Sequence, residues 1–133
     1  MSDLGFKQQN GSFCNLDYLM VNLGRNEATA VRLVGLFLEN YPALSERLSQ
    51  AVGAGDSAAL LDALHDIRSS CVLFSGHRCV DLAKNFEESV RDHVEQAHSK
   101  TIRDDWKVLA ESLAACMHCM ASEMKAFLAS RQG

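Results

Sequence analysis

The stretch Leu64-His65-Asp66-Ile67-Arg68-Ser69-Ser70-Cys71-Val72-Leu73-Phe74 decides the fold. Leu60, Leu64, Ile67, Cys71 and Phe74 recur at three- and four-residue steps, the repeat of one helical face. His65 falls beside that stripe, with Leu61, Arg68, Ser69 and Val72 within two turns of it. A titratable imidazole on a rigid helix, beside a fixed cation and at the edge of an apolar stripe, points to chemistry at a surface rather than in a pocket. Spacing by itself does not require this, because a lone histidine next to an apolar face is usually structural.

The helical repeat continues outward on both sides. Asn15 is placed to cap a short helix over residues 16–23, closed by Gly24, with Leu16, Leu19, Met20 and Leu23 on one side. Asn26 is placed to cap the next, whose stripe is Ala30, Val34, Phe37, Tyr41, Leu44, Leu48 and Val52. Pro42 removes a backbone donor and predicts a kink, but the unbroken repeat favours one element. Gly53-Ala54-Gly55 ends it, and Asp56 caps the helix bearing His65.

After a turn at Ser75-Gly76, a fourth stripe of Cys79, Leu82, Ala83, Phe86 and Val90 faces inward, with Arg78, Asp81, Lys84, Glu88 and Arg91 outward. His98-Ser99-Lys100 reads as a loop, and Thr101 with Asp104 as a capping box for the last helix. That helix buries Trp106, Leu109, Leu113, Met117, Met120, Met124 and Phe127. The pattern predicts an all-α protein, an antiparallel four-helix bundle with an additional short N-terminal helix. Residues 1–14 are expected to be a loose arm and residues 15–133 a single helical domain.

Composition agrees and excludes several classes of function. With 133 residues, 47% hydrophobic and 23% charged, one soluble domain with its own core is expected. A net charge of -4 argues against nucleic acid as the main partner. No apolar run approaches the roughly 18 residues that span a bilayer, and Met1-Ser2-Asp3 does not open a signal peptide, so a cytoplasmic location is expected. The five cysteines are an odd count, and Cys71, Cys79 and Cys116 fall on apolar faces as reduced, packed thiols.

His65-Asp66-Ile67-Arg68-Ser69-Ser70 resembles the His-x-(Leu/Ile)-(Lys/Arg)-(Gly/Ser)-Ser signature of histidine-containing phosphotransfer (HPt) domains of bacterial two-component phosphorelays. Phe37-Leu38-Glu39-Asn40-Tyr41-Pro42 is similar to the acidic-then-proline stretch of that family's second helix. Ala51-Val52-Gly53-Ala54-Gly55-Asp56 is similar to its small-residue turn. The similarity of layout covers residues 16–128. Three positions depart from the usual pattern: Arg68 stands for lysine, Ser69 for glycine, and the glycine opening the fourth helix is displaced by one to Gly76.

The resemblance implies a carrier without kinase activity of its own. His65 would accept a phosphoryl group on its distal ring nitrogen from one receiver-domain aspartate and pass it to another. Arg68 would offset the added charge, beside Ser69 and Ser70. No cofactor is implied for this chain, because the receiver supplies the acidic pocket and its Mg²⁺. The implied partners are response-regulator receiver domains and an upstream hybrid sensor kinase, with a monomer as the family's habit. Leu61, Val72 and the short first helix would form the apolar docking patch, and Arg91 would help seat the partner.

Two other readings have a basis in the residues. One is an adaptor, the same bundle binding a receiver or kinase without relaying phosphate. The other is a metal or redox protein built on Cys116-Met117-His118-Cys119 with Cys71 or Cys79. The histidine precedes the second cysteine, so a haem-attachment motif is not formed, and no second Cys-x-x-Cys completes a structural zinc site. Mid-helix spacing favours core packing for this pair. His77 follows the turn after the His65 helix, near an edge of the bundle, with little to support it as a second phosphorylation site, whereas His93 and His98 lie in polar stretches and read as solvated.

Overall fold

The computed structural model describes residues 12–132. Among them, α1 covers Leu16–Asn22, α2 Glu27–Ala54, α3 Ser57–Val72, α4 His77–Asp92 and α5 Lys100–Gln132, with a 3-10 turn at Val94–Gln96. Each long helix packs on its chain neighbours, and α5 closes the ring against α2. Short connections between neighbours give the up-and-down order of an antiparallel four-helix bundle. α1 packs outside it against α2.

The caps are those the side chains dictate. The Asn15, Asn26 and Asp56 side chains accept from the backbone N–H groups of Tyr18, Thr29 and Ala59, satisfying donors that the first helical turn leaves open. Gly55 ends α2 in the left-handed conformation at φ 65°, where a Cβ is costly. α2 runs through Pro42 as one helix. α5 begins differently from expectation: its first residue is Lys100, and the Ser99 carbonyl accepts from Arg103 N–H at 2.9 Å. Thr101 therefore lies inside the helix, and Asp104 is held by Lys100 Nζ at 2.9 Å instead of serving a capping box.

The turn after α3 also divides its work between two residues. Ser75 takes the left-handed conformation at φ 58°, the position that usually favours glycine. Gly76 is required for closeness instead. A Cβ there would stand 2.7 Å from Met120 Sδ and 3.1 Å from the Cys71 carbonyl oxygen. Gly76 thus lets the start of α4 pass against α5.

Leu60, Leu64, Ile67 and Cys71 of α3 are fully buried with Phe86, Trp106, Leu113, Met117, Met120 and Met124. Burying one large apolar side chain contributes about 1.5–3 kcal/mol, so this stripe anchors α3 along its length and turns the opposite edge outward. The expected loose arm is corrected at its end. Phe13 and Cys14 donate their backbone N–H groups to Glu123 at 2.6 and 3.2 Å, and Cys14 is buried. The rest of that arm, residues 1–11, lies outside the described residues.

Candidate functional site

Once the core stripe of α3 is buried, helical geometry leaves His65, Ser69 and Val72 exposed along one edge, with Leu61, Arg68 and Ser70 half-buried beside them. His65 and Val72 are two turns apart, about 10 Å along the axis. Val72 is 59% exposed, a large apolar side chain left in solvent. Tyr18 and Val21 of α1 are similarly exposed, as is Leu73 just past the end of α3. Val72, left out on the His65 edge, suits a docking surface.

Arg68 approaches His65 from one turn on, with Nη2 3.5 Å from Nδ1. A guanidinium only donates, so a hydrogen bond here engages Nδ1 as acceptor and leaves the ring proton on Nε2. The other end of the same guanidinium reaches across to α4, where Nη1 lies 3.3 Å from Glu87 Oε1. Arg91 Nη1 stands 3.8 Å from that same oxygen. The Glu87 side chain is only 4% exposed, and it is the one charged residue in the buried set among the described residues. Two cations on one carboxylate leave a net positive charge beside the imidazole, where an incoming dianion is favoured.

Sequence reasoning placed Arg91 outward and left Glu87 without a role. The signal for Glu87 was present. It stands four residues after Ala83 and three before Val90, on a face that Val80, Ala83 and Val90 otherwise make apolar. A carboxylate at such a position needs a cation from a neighbouring helix, and Arg68 supplies it. On the far side of His65, Asp66 pairs with Arg47 of α2 at 2.9 Å, with both side chains about half exposed.

The cysteines lie inside the bundle, away from this edge. Cys71, Cys79 and Cys116 are buried and Cys119 half-buried. Hydrogen bonding to Cys116 and Cys71, with burial, holds the Cys79 thiol far above its ordinary value, so it stays protonated. Burial, and then Glu123, push the Cys14 thiol up to about 12. His118 is exposed, its Nδ1 3.3 Å from Tyr41 Oη. Among the described residues no three His, Cys, Asp or Glu side chains are grouped to hold a metal ion, and no helix is long and apolar enough to cross a membrane.

Comparison with known proteins bears on the family and the fold. The profile of the Hpt domain family matches residues 32–124. Among solved structures the chain is similar to the HPt domain of an Hpt sensor hybrid histidine kinase from Shewanella, with a TM-score of 0.62 and 17% identity over 89% of this chain and 95% of that one. At that identity the likeness speaks for the fold. No curated protein sequence matches.

Proposed function

The chain belongs to the Hpt domain family, a histidine phosphotransfer module of phosphorelays, and on that premise we propose that His65 is the residue that carries the phosphoryl group. One observation carries this reading. His65 is exposed on a helix whose other face is fully buried, with the Arg68 guanidinium one turn away.

The transfer balances without a proton donor from this chain. The Nε2 lone pair forms the P–N bond while the P–O bond to the donor aspartate breaks, and the leaving carboxylate keeps the electron pair. Attack by Nε2 requires the tautomer with the proton on Nδ1, which the exposed ring reaches by losing the Nε2 proton to solvent and gaining one from solvent at Nδ1. Arg68 therefore turns its Nη2 away from Nδ1, and the phosphoryl oxygens are its natural acceptors. The second transfer reverses these bonds onto the acceptor aspartate. Ser69, one turn from His65, lies on the contact surface, where its hydroxymethyl group meets the partner. Ser70 supports the same turn.

Hpt domains are carriers and not kinases, and they work with receiver domains and kinases. For this chain the reading is of a cytoplasmic monomer without kinase activity, serving an upstream hybrid sensor kinase and one or more response-regulator receivers. It needs no cofactor of its own, with Mg²⁺ supplied by the receiver. The patch of Leu61, Val72 and α1 docks the partner, and Arg91 seats it. Incubation of the purified chain with a phosphorylated receiver tests the reading. Acid-labile, base-stable label on wild type and none on His65→Gln is the expected result. A chain that binds the receivers yet takes label from none of them would be an adaptor.

A further inference from the structure

Taking the phosphotransfer reading as its basis, we infer that Glu87 is a positioning residue of this site, anchoring Arg68 by Nη1 so that Nη2 works at His65. The first observation is where the carboxylate lies. Glu87 is 3% exposed on a face of α4 that is otherwise apolar. Taking a carboxylate out of water is costly, and an apolar residue of similar volume commonly serves stability as well or better. Packing therefore gives no reason for a glutamate at this place.

The second observation is what the carboxylate holds. Its Oε1 receives Arg68 from α3 at 3.3 Å and Arg91 from its own helix at 3.8 Å. A guanidinium is a rigid planar fork. With Nη1 on Glu87 and Nη2 at 3.5 Å from His65 Nδ1, the plane and reach of Arg68 are both set. A lysine ammonium, a single point of charge, would not hold that span.

Anchoring at one end leaves the other free to exchange acceptors. Glu87 is the pivot about which Nη2 passes from Nδ1, in the resting tautomer, to a phosphoryl oxygen as the P–N bond forms. Arg68 then arrives at the transferring group already oriented, as catalysis by positioning demands.

The experiment is a double-mutant cycle on the rate of transfer from a phosphorylated receiver, using wild type, Glu87→Gln, Arg68→Ala and the pair. Glu87→Gln keeps the side chain's size and removes the charge. It is expected to slow transfer about tenfold in wild type and to change little in the Arg68→Ala background, since residues acting through one another are not additive. Equal slowing in both backgrounds, or a Glu87→Gln chain as fast as wild type, overturns the inference. Circular dichroism establishes that each variant is folded. If Glu87→Gln does not fold, NMR of the wild type decides: separate, slowly exchanging Nη1 and Nη2 signals from Arg68 support the anchor, and one averaged signal overturns it. A wild type that takes no label overturns the phosphotransfer reading and this inference together, whereas a labelled wild type with an unaffected Glu87→Gln overturns the inference alone.

Discussion

The backbone N–H of Asn15 donates to the carbonyl oxygen of Phe74 at 2.9 Å. This bond ties the start of α1 to the turn that ends the histidine-bearing helix. Phe74 is itself fixed, its ring edge-on to Phe37 of α2 with centroids 5.5 Å apart. α1 is thus held in place, and with it the exposed Tyr18 and Val21.

Docking is expected to depend on the apolar residues left in solvent. Val72→Asp should weaken binding to a receiver about tenfold or more, because truncating or charging a buried interface anchor costs at least 1–2 kcal/mol. Its own stability should change by less than about 0.5 kcal/mol, as for surface substitutions generally. Calorimetric titration with a receiver, alongside thermal melting, checks both. Unchanged affinity would remove Val72 from the surface.

Gly76→Ala should destabilise the fold by about 1–3 kcal/mol, the usual size of overpacking. The new methyl would meet Met120 Sδ at 2.7 Å, which can give way, and the Cys71 carbonyl at 3.1 Å, which is backbone and cannot move alone. Urea unfolding at constant m-value reads the effect. Ser75→Ala, which keeps a Cβ at φ 58°, provides the contrast, since it adds no atom to the α4–α5 contact.

Glu123→Ala should release the segment before α1. The Glu123 carboxylate accepts from Phe13 N–H, Cys14 N–H and the Cys14 thiol, and buried donors left without an acceptor cost about 1–3 kcal/mol. Faster amide exchange at Phe13 and Cys14, with α3 still protected, is the expected pattern.

Alkaline pH should destabilise the chain in part through Cys14. Its thiol is raised by burial, and then by Glu123, from 9.0 to about 12 in the folded state. The protonated form is therefore favoured by folding, and the stability it contributes is complete below pH 9.0 and lost as pH rises toward about 12. Cys14→Ala should flatten the fall of melting temperature over that window relative to wild type. Parallel curves would show that Cys14 does not contribute.

Much of this was legible in the residues. The stripe from Leu60 to Phe74, the Asn15, Asn26 and Asp56 caps, and the all-α bundle follow from periodicity and local hydrogen-bonding chemistry, which act over a few residues. The exposure of His65 follows from the same stripe. What escaped depends on contacts distant in sequence. Glu87 acquires its role only because α3 and α4 pack side by side and bring Arg68 to it. Phe13 and Cys14 looked like arm residues because their acceptor, Glu123, lies more than a hundred positions away. The capping box at Thr101 failed for a local reason, since Lys100 claims the Asp104 carboxylate.

Residence of the phosphoryl group on His65 is tested by heteronuclear NMR of the phosphorylated chain. The chain has five histidines, so each imidazole can be followed separately. Only the His65 ring nitrogens are expected to shift, with phosphorus coupling at Nε2. Coupling at His77, His93, His98 or His118, or label on any non-histidine side chain, would contradict it.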